Sequence, residues 1–415
     1  MRCITDFHLH SKYSRACSKE LTLPNIARAC ERKGIHLVGT SDITHPAWRA
    51  HISDELELAG NGVYQLTGDR SRTRFILSTE ISCIYKRGGN VRRVHHIFLF
   101  PDLVSVDRFI AALEKRGCNL KADGRPILGI DSEELLKIAL ECSPEILCIP
   151  AHAWTPWFSV FGSQSGFDSL TECFGDMAPH IFAIETGLSS DPPMNRKVSS
   201  LDNMLLVSNS DAHSLDKLGR EANVFRMNEP SYSELRRILA EKDRSAFIET
   251  IEFFPEEGKY HADGHRQCAF WCEPGETKKR KGICPVCGKP LTVGVLHRVS
   301  ALADREESAA FVPASVPHRY IIPLAELLGQ MLGVGPSSKK VRTAYDALVS
   351  DGRTEFGVLL DMSAEDIRAL AGHAISDAIS AMREGRVIRT PGYDGAYGRI
   401  RVSLPEAPKQ SNLAI

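Results

Sequence analysis

The chain has 415 residues, of which 43% are hydrophobic and 25% charged, with 51 basic and 52 acidic side chains and a formal net charge of −1. These values describe an ordinary globular protein of two or three domains and exclude a disordered or polyelectrolyte chain. Any nucleic-acid contact must therefore come from a local basic surface. No apolar run reaches the roughly 18 residues that a membrane span needs, and Asp6, His8 and His10 stand where a secretory leader would be apolar; a cytoplasmic protein is expected.

In chain order, Cys3–Phe7 reads as a strand. Thr22-Leu23-Pro24 starts a helix that runs to Lys33 and stops at Gly34. Strands are expected at Ile35–Thr40, Phe75–Ile81, Val94–Phe100, Ile146–Ile149, Ile181–Ile184 and Leu205–Ser208. Helices are expected at Val104–Arg116 and Ser132–Glu141. Alternation of this kind predicts an α/β sheet or barrel with parallel pairing over residues 1–255. Residues 256–298 hold a cysteine cluster. Residues 299–404 show helical spacing at Ile321–Leu332, Ser337–Ser350 and Ser363–Arg383, and 405–415 form a polar tail.

Side chains that bind metals fall on or just after the expected strands. They are His8 and His10, Asp42 and His45, Glu80, His95 and His96, His152, Glu185, and Asp211 with His213. In a β/α barrel such ends converge on one face. Imidazoles mixed with carboxylates suit Zn²⁺, Mn²⁺ or Fe²⁺ better than Ca²⁺ or Mg²⁺. His8 and His10, two apart on a strand, reach the same side. Glu80 can bridge two ions, and a pair of ions about 4 Å apart suits phosphoryl displacement. His95 and His96 are neighbours on a strand, so only one of them enters the site.

The chain has 12 cysteines. Cys268, Cys272, Cys284 and Cys287 form a Cys-x3-Cys…Cys-x2-Cys pattern that predicts a closed, structural Zn²⁺ site of four thiolates. Lys278, Lys279, Arg280 and Lys281 lie inside that loop, as a solvated surface or as phosphate contacts. Trp154 and Trp157, with Phe158 and Phe161, are either core or a wall for an extruded base. Arg386, Arg389, Arg399 and Arg401 flank Gly392-Tyr393-Asp394-Gly395, a DNA-contacting or merely capping segment.

The His8-x-His10 pair, the Asp42/His45 segment, Glu80, His96, His152 and Asp211-x-His213 resemble the polymerase-and-histidinol-phosphatase (PHP) superfamily. Pro150-Ala151-His152-Ala153-Trp154-Thr155-Pro156-Trp157-Phe158, Glu185-Thr186-Gly187-Leu188-Ser189-Ser190-Asp191 and the downstream cysteines resemble the endonuclease Q family more narrowly. The resemblance implies a distorted seven-stranded β/α barrel with two or three divalent metals (Zn²⁺, Mn²⁺ or Mg²⁺). It also implies a nucleoid-associated DNA-repair endonuclease that cuts 5′ to hypoxanthine, uracil, xanthine and abasic sites. On that pattern His8, His10, Glu80 and Asp211 hold one ion, and Glu80, His96 and His152 hold a second. His45 and His213 serve a third ion or the phosphate, and Asp42 or Glu185 orients ligands. Glu80, Asp211 and His213 are the expected catalytic groups. Many relatives carry a further His where this chain has Ser14-Arg15-Ala16-Cys17. The alternatives are a phosphatase of a small phosphomonoester and a non-catalytic DNA-binding protein. The terminal Gln410-Ser411-Asn412-Leu413-Ala414-Ile415 resembles peptides that dock repair enzymes on a sliding clamp.

Overall fold

The computed structural model describes residues 1–68, 71–305 and 315–404. Eleven strands join in one mixed sheet. Arg2–Asp6 lies parallel to Leu37–Gly39, which lies parallel to Arg74–Arg87, as a strand–helix–strand order dictates. Three further pairings are antiparallel: Arg2–Asp6 with Ala222–Arg226, Arg74–Arg87 with Asn90–Phe100, and Asn90–Phe100 with Leu147–Pro150. The expectation of parallel pairing throughout is thus corrected. For Arg74–Arg87 and Asn90–Phe100 the cause is the Gly88-Gly89 turn, whose φ values of 59° and 79° close a two-residue hairpin and leave no length for a crossover helix.

Both faces of the sheet are buried, because successive side chains point to opposite sides. Cys3, Phe7 and Leu37 pack with Phe225, Phe247 and the helix Tyr232–Glu241 on one side. Ile4, Val38 and Phe75 pack with Leu23, Ile26 and Cys30 of the helix Leu23–Lys33 on the other. That helix carries Pro24 in its first turn and ends at Gly34, φ 89°, where a Cβ would lie 2.7 Å from Thr354 Oγ1. The helices Leu103–Lys115 and Ser132–Cys142 begin where the Asp102 and Asp131 carboxylates accept backbone N–H groups.

A separate parallel pair, Ala183–Glu185 and Leu205–Val207, lies between the two ends of this arrangement. Ala153 N donates to Glu185 O at 2.9 Å, tying it to the end of Leu147–Pro150. Phe7 N donates to Asn209 Oδ1 at 2.9 Å and Asn223 Nδ2 to Ser208 O at 2.8 Å, tying it back to the end of the first strand and to Ala222–Arg226. The chain segments that carry the sequence-predicted ligands therefore face one another.

The C-terminal region is not wholly helical. His318–Ile321 adds a strand parallel to Phe247–Phe253 of the main sheet, and Pro323 delays the expected helix to Leu324–Leu332. Gly372, φ 84°, divides the helix expected at Ser363–Arg383 into Ala364–Ala371 and His373–Arg383. The arginine-flanked segment is an antiparallel ribbon, Val387–Thr390 with Arg399–Val402. Among the described residues, no helix is long and apolar enough to cross a membrane. The clamp-like motif lies outside the described residues.

Candidate active site

Strand ends deliver the cluster. His8 and His10 follow the strand Arg2–Asp6, fully buried, with ring centroids 5.6 Å apart. The segment after Leu205–Val207 runs beside them: His10 N donates to Ala212 O at 2.9 Å. Asp211 is held there at φ 46°, a left-handed conformation uncommon outside glycine. Its Oδ1 lies 3.1 Å from His10 Nε2 and 3.6 Å from His8 Nε2.

Glu80, buried in the long strand Arg74–Arg87, stands between two groups. Its Oε1 is 2.7 Å from His95 Nδ1, 3.3 Å from His152 Nε2 and 3.5 Å from His8 Nε2, and its Oε2 is 3.4 Å from His10 Nε2. The donor atoms of His8, His10 and Asp211 all lie within 4.8 Å of one another, as do those of Glu80, His95 and His152. The open choice between adjacent histidines is decided by register, and the assignment of His96 is corrected. Glu80 pairs with Ile97, so His95 shares its face and His96 points away. His96 Nε2 instead meets Ser132 Oγ at 2.8 Å, and the ring packs 5.2 Å from Phe174.

Carboxylates hold the outer nitrogens of both strand-end histidines. His8 Nδ1 lies 3.0 Å from Glu185 Oε2, and Glu185 also accepts from Asn209 Nδ2 and His152 N. His10 Nδ1 lies 3.3 Å from Asp42 Oδ1, while Asp42 Oδ2 accepts from Ser11 N, Ser11 Oγ and Ser14 Oγ, each at 2.7 Å. Both Nε2 atoms are thereby turned to the centre. His8 Nε2 is buried with no hydrogen-bond partner among the described residues.

The charges are strongly coupled. Burial alone would raise the Glu80 carboxyl, but His95, Arg125 and His8 hold it well below its ordinary value. Burial opposes ionisation of Asp211 too, and His8, His10 and His213 keep it depressed. Burial would lower His8, yet Glu185, Glu80 and Asp211 raise it well above an ordinary imidazole. Burial pushes His95 down to about 4, so it offers a neutral nitrogen. Arg125, absent from the sequence reading, places Nη1 3.2 Å from Glu80 Oε2.

The remaining predicted residues are dispersed. His213 sits on the rim, half-buried, its ring 4.6 Å from that of His10 and its Nδ1 3.6 Å from Asp211 Oδ1. His45 starts the helix Pro46–Glu55 and stacks on Tyr13 at 4.6 Å, outside both donor groups. Trp154 is corrected from a DNA contact to core: it is fully buried, donates from Nε1 to Asn195 Oδ1 at 2.7 Å and packs on Phe161. Trp157 is half-buried and meets Tyr260 edge-on at 5.8 Å. Lys278 to Lys281 are exposed, with Lys279 and Arg280 both near Glu276.

The cysteine module also departs from expectation. The donor atoms brought together are those of His265, Cys268, Cys284 and Cys287. Cys272 is not among them. The antiparallel pairing of Asp263–His265 with Phe270–Cys272 sets Cys272 opposite Asp263 and His265 opposite Phe270. Cys272 therefore packs inward with Cys284 and Leu291, its Sγ 3.2 Å from Thr277 Oγ1. The signal in the sequence was His265-x2-Cys268, the same spacing as Cys284-x2-Cys287.

Residues 323–386 match the family model of the MJ0043 C-terminal domain. The chain is 30% identical over 400 residues to protein YqxK of Bacillus subtilis strain 168, covering 92% of this chain and 93% of that protein. It is also 29% identical over 257 residues to protein MJ0043 of Methanocaldococcus jannaschii, spanning 31% of that longer protein. The crystal structure of the lesion-specific endonuclease PfuEndoQ from Pyrococcus furiosus superposes with a TM-score of 0.85 at 32% identity, covering 97% of this chain and 96% of that one. The chain belongs to the endonuclease Q family. A second member, endonuclease Q in complex with a 27-mer duplex substrate with an abasic lesion at the active site, matches at TM-score 0.86 and 33% identity over 98% of this chain and 97% of that one. Family membership thus extends over the acid–imidazole cluster, the cysteine module and the C-terminal helices together.

Proposed function

We propose that the protein is a metal-dependent DNA-repair endonuclease that cuts the phosphodiester 5′ to deaminated bases and abasic sites. The observation that carries the reading is a single buried carboxylate, Glu80, shared between two imidazole-rich donor groups, in a chain that matches a lesion-bound endonuclease Q over nearly its whole length. The donors fit divalent ions: the nitrogens are turned inward by carboxylates, and the buried His8 Nε2 lacks a partner. His8, His10 and Asp211 are assigned to one ion, and Glu80, His95 and His152 to a second. Such ions, when bound, supply positive charge to a phosphodiester and lower the pKa of water.

The chain's own groups then have distinct tasks. Glu185 and Asp42 fix the histidine rings, Glu80 holds the two groups in register, and the buried walls around His8 and His10 keep bulk water out. His213, on the rim beside Asp211, is assigned to the phosphate or a third ion. His45 lies apart from both groups and is not assigned an ion. The sheet, tied through Asn209 and Asn223, is read as a PHP-type barrel over residues 1–255. Residues 256–298 form a structural zinc module through His265, Cys268, Cys284 and Cys287, a closed four-donor set. Residues 299–404 are read as a DNA-contacting region, sharing its first strand with the main sheet.

The test incubates the protein and Mn²⁺ or Mg²⁺ with a duplex carrying one hypoxanthine, beside p-nitrophenyl phosphate. A nick on the 5′ side of the lesion supports the reading. Hydrolysis of the monoester alone makes the protein a phosphatase, and lesion binding without cleavage makes it a binding protein; either overturns it.

A further inference from the structure

A guanidinium stands against the carboxylate at the centre of the acid–imidazole cluster. Arg125 Nη1 lies 3.2 Å from Glu80 Oε2, and the Arg125 side chain is 26% exposed. Burial opposes its charge, yet Glu80, Asp211 and Asp123 raise its pKa above the ordinary value, so it stays cationic. A guanidinium carries five N–H donors in a planar fork. Among the described residues the Arg125 side chain makes one hydrogen bond, to Glu80, and none of its nitrogens is buried without a partner. Its other donors therefore reach solvent beside the cluster. Arg220 differs, although it too lies beside Asp211. It is buried, and its donors go to Ser210 O at 2.8 Å and Asp211 O at 3.3 Å.

The loop that carries Arg125 is fastened on both sides. Gly124 N donates to Tyr13 O at 3.2 Å, and a Cβ on Gly124 would collide with Asp42 Oδ2 and Ser14 Oγ. A residue with a side chain could not pass so close to the carboxylate behind His10. Asp123 Oδ1 accepts from Arg125 N and Arg15 N, both at 3.2 Å. Beyond Arg125, Pro126 O accepts from Ser82 N at 3.0 Å, two residues along the strand of Glu80. Ile127 and Leu128 then pair with Ser82 and Cys83. Arg125 is thus held between the segment of Asp42 and the strand of Glu80, the carboxylate that lies between the two donor groups.

We infer that Arg125 is a catalytic residue whose guanidinium binds a non-bridging oxygen of the scissile phosphodiester and neutralises the charge that gathers there in the transition state. The inference deepens the nuclease reading and rests on it. Water forms the new P–O bond and the bond to the leaving oxygen breaks. The proton that water loses is matched by the one the leaving oxygen gains. The guanidinium gives up no proton and acts by charge and hydrogen bonding alone. Its planar fork matches the spacing of phosphate oxygens. Its present partner, Glu80, is the carboxylate set between the two donor groups. With those groups loaded, the charge of Glu80 is already matched and the fork is left for another anion. A cation fixed in place before the reaction stabilises developing charge without reorganisation, which is how an arginine aids phosphoryl transfer.

Arg125→Ala and Arg125→Gln are compared with the wild type in Mn²⁺, with metal content measured by mass spectrometry and folding by thermal melting. Arg125→Gln keeps a donor toward Glu80, so it stands in if the alanine variant does not fold. Single-turnover nicking of a duplex with one hypoxanthine is expected to fall about 10²–10³-fold in both variants, with metal content unchanged. Millimolar guanidinium is expected to restore at least about tenfold of the rate to Arg125→Ala and nothing to the wild type. Calorimetric titration with inorganic phosphate is expected to show affinity at least about tenfold weaker in both variants. Wild-type rates in the variants overturn the inference, as does wild-type phosphate affinity. A rate lost together with metal, and recovered by excess Mn²⁺ but not by guanidinium, also overturns it and makes Arg125 a tie for Glu80. Nicking by the wild type is scored separately. If the wild type nicks nothing while phosphate affinity depends on Arg125, the nuclease reading falls and the oxyanion site stands; nicking that Arg125 does not affect does the reverse.

Discussion

The two donor clusters of this molecule are built on opposite plans. In the acid–imidazole cluster the donors come from strand ends far apart in sequence, His8, Glu80, His95, His152 and Asp211, and further carboxylates hold the outer nitrogens. In the cysteine module the donors lie within 23 residues, His265 to Cys287, and all four belong to one small hairpin and knuckle. Gly288, φ 72°, turns the knuckle so that its N–H donates to Cys284 O at 2.9 Å. The first depends on the whole sheet and mixes nitrogen with oxygen, which suits reaction chemistry. The second is local and sulfur-rich with four donors, which suits a structural role. Perturbing one is expected to leave the other's metal in place.

The largest expected effect is that of Asp211→Asn. It removes a carboxylate that touches both His8 and His10 while preserving size, so lesion nicking is predicted to fall by at least about 10³-fold with thermal stability retained. A variant as active as the wild type in single-turnover assays would sink the assignment of this cluster. Next come the neighbours on the return strand. His95→Ala is predicted to lose metal and roughly 10²-fold in rate, whereas His96→Ala loses about 1–3 kcal/mol of packing against Phe174 and Ser132 but keeps its metal. Metal analysis that shows the reverse order contradicts the register argument.

Cys284→Ser sharpens the contrast from the other side. It is predicted to release one zinc per chain and to open residues 263–294 to hydrogen exchange, with the metal content of the acid–imidazole cluster unchanged. His265→Ala should do the same and Cys272→Ser should not; zinc loss in the latter restores the four-cysteine site.

The smallest effect concerns a buried pair behind the cluster. Burial, aided by Asp191, pushes Glu252 up to about 8 against hydrogen bonds from Thr250, Ser208 and Thr186, and burial with Glu252 and Glu185 raises Glu221 as well. A carboxyl raised in the folded state favours folding while neutral, so its contribution is full below the ordinary carboxyl range and is lost as pH rises through about 8. Wild-type Tm is therefore predicted to fall from the ordinary carboxyl range up to about pH 8 and to level off above it, and Glu252→Gln to flatten the fall by a few degrees. Parallel Tm curves for the two proteins would refute this.

Much of the acid–imidazole cluster was legible because metal-binding side chains at strand ends announce themselves by residue type: His8, His10, Glu80, His152 and Asp211 all converge. What failed was parity and pairing. Gly88-Gly89 is a hairpin signal, and counting back from the Arg87–Asn90 pair sets Glu80 opposite Ile97 and so selects His95. Reading the region as strand–helix alternation hid that register. Trp154 looked like its neighbour Trp157, but only burial distinguishes a core indole bonded to Asn195 from one on a surface. Cys272 was taken for a ligand from the Cys-x3-Cys spacing, when the matching two-residue spacings pointed to His265. Arg125 had no motif to reveal it, since it reaches Glu80 from a turn that only tertiary structure brings near.

On this reading the molecule carries two independent metal centres of different kind, one reactive and one structural. Crystals of the protein soaked in Mn²⁺ and measured for anomalous scattering at the zinc and manganese edges test it most directly. A zinc peak is expected among His265, Cys268, Cys284 and Cys287, and metal peaks on both sides of Glu80, one by His8, His10 and Asp211 and one by His95 and His152. Scattering confined to the cysteine module, with none around Glu80, would contradict it.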